Sequence, residues 1–305
     1  MWKALLNRSL VGLLAIVGLF VGFYVALNQV RNSSVKQRFT DRQTLIARAQ
    51  ASNLTTFFDD FGNSVKVLAQ SASIKGRDAA TVAKMDAFVD VWGDSGLVGG
   101  VILTDAKGIV RFNSNISGTR DLDASVADRD YFVWAKTQET DGEYFVSEPV
   151  VSRLGATRDN MIVVVAAPVL KGDKFTGVIA ASVQLKELTG RYMSLMNLSE
   201  ETRVYFISGS GDLVYNASAG SPDMELLDEA KDLLDTPTAG SMEKKGHFVA
   251  YAPARAGNQE WLLVMVYPSS ELTNLIQGIS FRQLTMLVLG LLSLILVWLA
   301  AQKRL

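Results

Sequence analysis

The chain has 305 residues, enough for one large domain or two smaller ones, and its formal net charge at pH 7 is −1. A balance this close to neutral predicts no nucleic-acid partner. The sequence has no Cys and one His, which excludes disulfides and thiolate metal sites and argues against a catalytic metal centre. We therefore predict no cofactor and no metal site.

The first feature along the chain is an apolar segment near the N-terminus. Residues 10–27 read LVGLLAIVGLFVGFYVAL, without a charge. With its flanking residues, such a helix is long enough to cross about 30 Å of hydrocarbon. We predict an uncleaved transmembrane helix over residues 10–28. A cleaved signal peptide is the alternative, but this segment exceeds the usual apolar region of such peptides and no A-x-A site follows it.

A polar segment with a helical period follows. Phe57, Phe61, Val65 and Leu68 form one apolar stripe among Lys, Arg, Asp and Gln side chains. We predict one long helix over residues 29–75, which continues out of the membrane and packs this stripe against the rest of the domain.

Runs rich in β-branched and aromatic residues begin near residue 100. Gly100–Thr104 and Ile109–Asn113 flank a turn that contains Gly108, and this arrangement predicts a β-hairpin. Three strands and then one helix are predicted after the hairpin, at Glu143–Val151, Met161–Val169, Thr176–Leu185 and Lys186–Leu198.

The same order of segments occurs twice. VILTDAKGIVRFN (residues 101–113) aligns with VYFISGSGDLVYN (204–216) at an offset of 103, and VAAPVLKG (165–172) aligns with AYAPARAG (250–257) at an offset of 85. Such a repeat predicts two copies of one unit, and the difference between 103 and 85 makes the second copy shorter by 18 residues. The extra stretch, which contains DRDYFVWAK and VSEPVVSRLG, is predicted to build a ligand pocket. Chance similarity between strand-rich segments is the alternative.

A second uncharged apolar segment lies at the C-terminal end, where residues 284–301 read LTMLVLGLLSLILVWLAA. Apolar residues on every face argue against a buried core helix. We predict a second transmembrane helix over residues 283–301, so that both tails lie on one side of the membrane. Basic residues flank the spans on both sides, and the flanking charge therefore does not decide the orientation.

The most specific motifs lie in the first copy. They are Asp128-Arg129-Asp130-Tyr131-Phe132, then Ser147-Glu148-Pro149 and Gly177-Val178. Together with the order of the helices and the two repeated units, they resemble the double Cache sensor region, also called dCache or PDC-type. Such regions occur in bacterial diguanylate cyclases, histidine kinases and chemoreceptors, and the resemblance covers roughly residues 30–280.

The resemblance implies an α+β fold: two PAS-like antiparallel-sheet lobes on the long N-terminal helix, flanked by the two transmembrane helices. It assigns residues 76–190 to a membrane-distal, ligand-binding lobe and residues 191–280 to a membrane-proximal lobe. Residues 1–9 and 302–305 are then cytoplasmic, and the chain crosses the bacterial inner membrane twice. The resemblance also implies a small-molecule ligand and a homodimer formed through the long helix.

In amino-acid-binding members of the family, the ligand is held by an Arg, an aromatic residue two positions on, a Tyr after Ser-x-Pro and an Asp near the last distal strand. Arg129 and Tyr131 match the first part, but Val150 or Val151 stands at the Tyr position and Ser182 at the Asp position. Because an ammonium group needs a carboxylate partner, these departures disfavour an amino acid. They favour a small carboxylate bound by the guanidinium fork. The candidate ligand-binding residues are Arg129, Tyr131, Phe132, Trp134, Ser147, Glu148, Arg153 and Ser182.

Each candidate also has a structural interpretation. Arg129 has Asp neighbours with which it can pair, and the aromatic residues that follow it are typical of a helix core. Ser147 and Glu148 can simply end a strand, since Pro149 removes a donor. Arg153 can be a solvated loop arginine, and Ser182 can face away from the pocket.

The sequence therefore predicts a transmembrane sensor that relays a small metabolite's binding to a cytoplasmic output, such as a diguanylate cyclase (cyclic-di-GMP signalling) or a kinase. Four residues follow the second span, so either the output lies in a longer protein or it belongs to a separate partner. A membrane-anchored protein that binds a partner protein or the cell wall is the alternative. An envelope enzyme is a third hypothesis, but no G-x-S-x-G, Walker, G-x-G-x-x-G or H-E-x-x-H motif supports catalysis.

Overall fold

The computed structural model describes residues 2–93, 96–193, 202–216, 233–234, 238–244 and 246–302. The helices in these ranges are α1 (Trp2–Gln70), α2 (Ala72–Gly76), α3 (Ala80–Gly93), α4 (Asp130–Lys136), α5 (Leu185–Met193) and α6 (Ser269–Gln302). The strands of the first sheet are β1 (Val98–Thr104), β2 (Val110–Asn115), β3 (Phe145–Val146), β4 (Val150–Val151), β5 (Met161–Lys171) and β6 (Lys174–Gln184). Those of the second sheet are β7 (Arg203–Ser208), β8 (Leu213–Asn216), β9 (Gly240–Lys244), β10 (His247–Ala256) and β11 (Gln259–Pro268).

Helix α1 joins the first apolar segment to the predicted long helix without a break. It ends at Gln70 rather than at residue 75, where Ser71 turns back: its backbone N–H and its hydroxyl donate to the Leu68 carbonyl at 3.1 and 2.8 Å. By length and composition the part from Leu14 onward can cross a membrane, while α6 holds a shorter apolar stretch, Thr285–Ala300. Both transmembrane spans stay predictions.

The first sheet has the antiparallel strand order β2-β1-β6-β5-β3, and β4 also pairs with β5. Its β1–β2 hairpin is the one that the sequence predicts. In β5, Ile162, Val164 and Ala166 pack with α4, whereas Val163 and Val165 alternate onto the opposite face and are also buried. Burial on both faces explains why β5 has a continuous apolar run instead of an alternating one.

The second sheet repeats this order of strands. It reads β8-β7-β11-β10-β9, so β7 and β8 correspond to β1 and β2, and β10 and β11 correspond to β5 and β6. A long helix followed by two antiparallel sheets is the predicted α+β double Cache fold, which is thereby confirmed. The identical order is also what the internal repeat predicts.

The predicted strand Glu143–Val151 is interrupted. Ser147 donates its backbone N–H to the Val164 carbonyl at 2.8 Å, but its hydroxyl then accepts the Val164 N–H at 2.9 Å, in place of a backbone carbonyl. Pro149 has no N–H to offer to the ladder. The segment therefore forms two short strands, β3 and β4, instead of one.

The predicted helix Lys186–Leu198 is present as α5 up to Met193, and its remaining positions, which include Leu195 and Met196, lie outside the described residues.

By internal contacts the chain divides into two compact units. In the unit of residues 1–43, 243–248 and 267–305, the Phe39 ring packs edge-on against Phe248, with centroids 5.3 Å apart. The unit of residues 44–242 and 249–266 contains the first sheet.

Candidate functional site

A cleft opens between the first sheet and the segment between β2 and β5. Its cavity volume is about 60 Å³. Strands β1, β2, β5 and β6 form one wall, and residues from Val126 to Thr157 contribute the other. The second wall thus comes from the extra stretch of the first repeat copy.

Arg129 lies at this cleft, one residue before α4, in an extended conformation with φ −81° and ψ 142°. Its guanidinium donates one hydrogen bond to the Val151 carbonyl, at 3.2 Å. Among the described residues it forms no ion pair with a carboxylate. Because a guanidinium carries five N–H donors, it retains donors for an anion.

The other two arginines at the mouth are already paired. Arg153 Nη1 lies 2.8 Å from Asp128 Oδ2, and Arg158 Nη2 lies 3.0 Å from Asp121 Oδ2. The hydrogen bond from Arg153 lowers the pKa of the Asp128 carboxyl, so this partner stays ionised. Within the described residues, Arg129 is therefore the cation at the cleft that makes no direct ion pair with a carboxylate.

Neutral polar groups line the interior. Tyr131 is 4% exposed, and burial raises the pKa of its phenol, which stays protonated. Asn113 of β2 is 3% exposed, and the Ser182 hydroxyl donates to the Gly100 carbonyl at 3.4 Å. No carboxylate of the described residues lines the interior, although Asp159 lies at the mouth.

One loop, residues 152–159, borders the cleft and is named here the mouth loop. It closes on itself, since the Asp159 N–H donates to the Ser152 carbonyl at 2.9 Å and the Ser152 and Thr157 hydroxyls lie 2.9 Å apart. The methyl group of Thr157 rests against Gly99 of β1, where any added Cβ would overlap it. Glycine at position 99 thus lets the mouth loop approach the sheet.

Four of the eight predicted site residues line the cleft: Arg129, Tyr131, Arg153 and Ser182. Phe132 and Trp134 also belong to α4, but their rings pack against other aromatic rings instead of lining the cleft. The ring of Phe132 is 5.9 Å from that of Phe175, and Trp134 stacks on Phe145 with centroids 5.1 Å apart. Their aromatic character serves the hydrophobic core of this lobe.

Ser147 and Glu148 also lie outside the lining. Ser147 is fully buried, and its hydroxyl donates to the Glu148 carbonyl at 2.7 Å while it accepts the β5 bond described above. Glu148 is exposed, and its backbone N–H donates to Asp130 at 3.3 Å. Partial burial and the nearby Asp130 raise the pKa of the Glu148 carboxyl. Both residues shape the break between β3 and β4.

The sequence prediction missed several lining residues, among them Asn113, Asn115, Ser152 and Thr157. The two asparagines alternate along β2, and this alternation was the available signal that they share a face. The two hydroxyl residues come together only because the mouth loop closes on itself, which no local pattern indicates.

The outer edge of β3 meets the turn between β10 and β11, and this contact is named here the edge junction. The Val146 N–H donates to Asn258 Oδ1 at 2.6 Å, and Gln259 Nε2 donates to the Val146 carbonyl at 3.0 Å. Beside them, the Tyr144 hydroxyl donates to Asp59 of α1 at 2.9 Å. Side chains of the second sheet's hairpin thus occupy the backbone groups that β3 leaves unpaired.

Comparison with known proteins supports a family assignment. A family profile described as Cache domain (dCache_1) matches residues 31–276. Among solved structures, a domain of a sensory box/GGDEF family protein from Vibrio parahaemolyticus is 12% identical, with 78% of this chain and 98% of that chain covered and a TM-score of 0.61. No curated protein matches the chain.

Two ligand-binding domains of chemoreceptors have the same fold. That of the Pseudomonas aeruginosa amino-acid chemoreceptor PctC, in complex with GABA, is 18% identical (75% of this chain, 100% of that chain, TM-score 0.55). That of Pseudomonas fluorescens CtaA, in complex with L-isoleucine, is 14% identical (80% of this chain, 98% of that chain, TM-score 0.57). At these identities the likeness shows the fold alone.

Proposed function

Because the chain belongs to the Cache domain family, in its double form, we propose that it senses a small carboxylate in the cleft beside Arg129. Domains of this family are extracytoplasmic sensor parts of membrane receptors. The proposal places the two lobes in the periplasm, between two spans of the inner membrane. The output is a diguanylate cyclase, a kinase or another cytoplasmic module.

One observation carries the choice of ligand: the Arg129 guanidinium makes no direct ion pair, and no carboxylate of the described residues lines the interior of the cleft beside it. A carboxylate can accept two parallel hydrogen bonds from such a fork, and these charge-assisted bonds are stronger than neutral ones. Tyr131, Asn113 and Ser182 offer neutral hydrogen-bonding groups to the rest of the ligand.

An amino acid is the competing ligand, because PctC and CtaA are solved with GABA and L-isoleucine. Its ammonium group needs an acceptor with negative charge, and Ser182 occupies the position of the family's Asp. The carboxylate of Asp159 lies at the mouth rather than in the interior. We therefore favour a ligand without an ammonium group.

The edge junction offers a route out of the distal lobe. It holds β3, which pairs with the cleft-lining strand β5, to the turn that leads into β11, and β11 continues directly into α6. Ligand binding shifts the receptor only to the extent that the ligand prefers one of two conformations. In the proposal, the preferred conformation differs in the position of β3 and of this hairpin.

The testing experiment is a thermal-shift screen of the full chain in detergent micelles. Acetate, propionate, lactate and succinate are compared with amino acids, amines and nucleobases. A ligand at about 100 times its Kd stabilises the folded state by about 2.7 kcal/mol. We expect a shift with a carboxylate, and Arg129→Ala should weaken binding about 100-fold, since a charge-assisted pair is lost.

The matched control is Arg111→Ala, which removes an arginine of β2 that pairs with Asp105 and does not line the cleft. It should leave the ligand-induced shift unchanged. Shifts with amino acids alone would contradict the carboxylate assignment. A screen without any shift would favour the partner-protein hypothesis, and a shift insensitive to Arg129→Ala would discard this cleft.

We further propose a homodimer formed through α1. Leu45 and Val67 are apolar side chains of this helix that are 64% and 66% exposed, and the chain has no Cys of its own. Val67→Cys should therefore give a disulfide-linked dimer in membranes under mild oxidation, as judged by non-reducing electrophoresis. Val91→Cys on α3, where the side chain is 74% exposed, is the control and should stay monomeric. The reverse pattern would move the interface to α3.

A further inference from the structure

A residue outside the predicted site holds the mouth loop. Asp121 lies between β2 and α4, and its Oδ2 accepts the Gly155 N–H at 2.7 Å and the Arg158 guanidinium at 3.0 Å. These two hydrogen bonds, the one from Gly155 first, lower the pKa of the Asp121 carboxyl. The acceptor is therefore ionised at neutral pH, and both bonds are charge-assisted.

Asp121 is itself fixed to the sheet wall of the cleft. Its backbone carbonyl accepts the Asn113 side-chain amide at 3.3 Å. The adjacent Arg120 donates to the Asn113 carbonyl at 2.6 Å and to both carboxylate oxygens of Asp86, on α3, at 3.1 Å. The carboxylate thus has a defined position relative to β2, from which it can hold another segment in place.

The mouth loop has a second polar attachment, but a weaker one. In the pair of Arg153 with Asp128, both side chains are more than half exposed, at 56% and 57%. Solvent screens such a pair, and exposed ion pairs contribute little. The Asp121 side chain is 25% exposed and binds a backbone N–H as well as a guanidinium. Of the two attachments, the one at Asp121 therefore dominates.

We infer that Asp121 is a positioning residue of the binding site, whose carboxylate holds the mouth loop where Ser152 and Thr157 complete the cleft. That these contacts of Asp121 contribute to ligand binding rests on the proposed function. The contacts themselves can be tested without a ligand.

Hydrogen–deuterium exchange of the full chain in detergent micelles, without ligand, tests the inference. Asp121→Ala should raise the exchange rate of mouth-loop amides, Gly155 included, about tenfold, since local opening loses a charge-assisted contact. The amides of β5 and β6 should keep their rates. Asp121→Asn keeps the side-chain volume and a carbonyl acceptor at the place of Oδ2 but loses the charge, so it should restore only part of the protection.

The matched control is Asp128→Ala, which removes the partner of the loop's other arginine and should change the exchange rates less than about twofold. An equal increase in this control, or unchanged exchange in Asp121→Ala, would overturn the inference. If Asp121→Ala loosens the whole sheet, Arg158→Ala decides, because it removes one donor and must act on the mouth loop alone. Absence of carboxylate binding would refute the ligand class and leave this result intact.

Discussion

Gly177→Ala is expected to lower the free energy of unfolding by about 3 kcal/mol, because it forces a side-chain carbon into the backbone of a neighbouring strand. Gly177 lies in β6, and an added Cβ would overlap the Thr104 carbonyl oxygen of β1 and come within 2.8 Å of its carbon. Since β1 and β6 pair up to Leu103 and Ile179, next to this contact, the backbone cannot retreat without disturbing the end of the ladder. Gly177 is also part of the motif that pointed to the family.

Arg77 also disfavours a side chain at position 177. Its guanidinium donates to the Thr104 and Thr176 carbonyls, at 2.6 Å each, and the added Cβ would lie 2.9 Å from this nitrogen. Burial lowers the pKa of Arg77, as expected for a partly desolvated cation. The substitution would therefore disturb two hydrogen bonds as well as the ladder.

Thermal unfolding of the full chain in micelles measures this effect, and about 3 kcal/mol corresponds to roughly 6–12 °C in Tm for a domain of this size. The control is Gly118→Ala, at φ +71° with nothing within 4 Å of an added Cβ. Gly118→Ala should cost only the strain of a side chain in the left-handed backbone conformation, about 1–2 kcal/mol. Equal losses in the two variants would show that the contact with Thr104 does not matter.

The β1–β2 hairpin could be predicted from a local pattern, because two β-branched runs flank a Gly-containing turn. The break at Ser147 could not be predicted in this way. Whether a buried hydroxyl replaces a backbone acceptor depends on the strand opposite, here Val164, which is remote in sequence. The early end of α1 at Ser71 is a similar case, since either a helical or a turned conformation suits Ser.

The resemblance in motif order predicted Arg129 and Ser182 as site residues, and both line the cleft. Trp134 is three residues from Tyr131 and so lies on roughly the same face of α4, yet its ring stacks on Phe145 and does not line the cleft. Asp121 could not be predicted, because its role depends on a loop that comes 34 positions later in the chain.

Gly257→Ala is expected to separate β3 from the hairpin of the second sheet. Gly257, at φ +59°, sits in the edge junction, where an added Cβ would lie 2.7 Å from Val146 Cγ2 and 2.9 Å from the Tyr144 ring. The substitution bears the left-handed backbone term of about 1–2 kcal/mol and a further 1–3 kcal/mol, roughly, from overpacking. Part of this second term is relieved if the junction opens.

The internal repeat supplies a matched control for this prediction. Gly172 is the equivalent residue of the first copy, in the β5–β6 turn, with φ +60° and nothing within 4 Å of an added Cβ. Gly172→Ala therefore bears the backbone term without the junction contact. The excess loss of stability in Gly257→Ala over Gly172→Ala measures the junction.

Hydrogen exchange at Val146 then shows where that excess acts. Its N–H donates to Asn258, so opening of the junction should raise its exchange rate in Gly257→Ala and leave it unchanged in Gly172→Ala. If protection at Val146 survives in Gly257→Ala, the hairpin moves with β3 and the junction is stiffer than its two hydrogen bonds suggest. If protection is lost while the carboxylate still binds, recognition in the cleft does not depend on a closed edge junction.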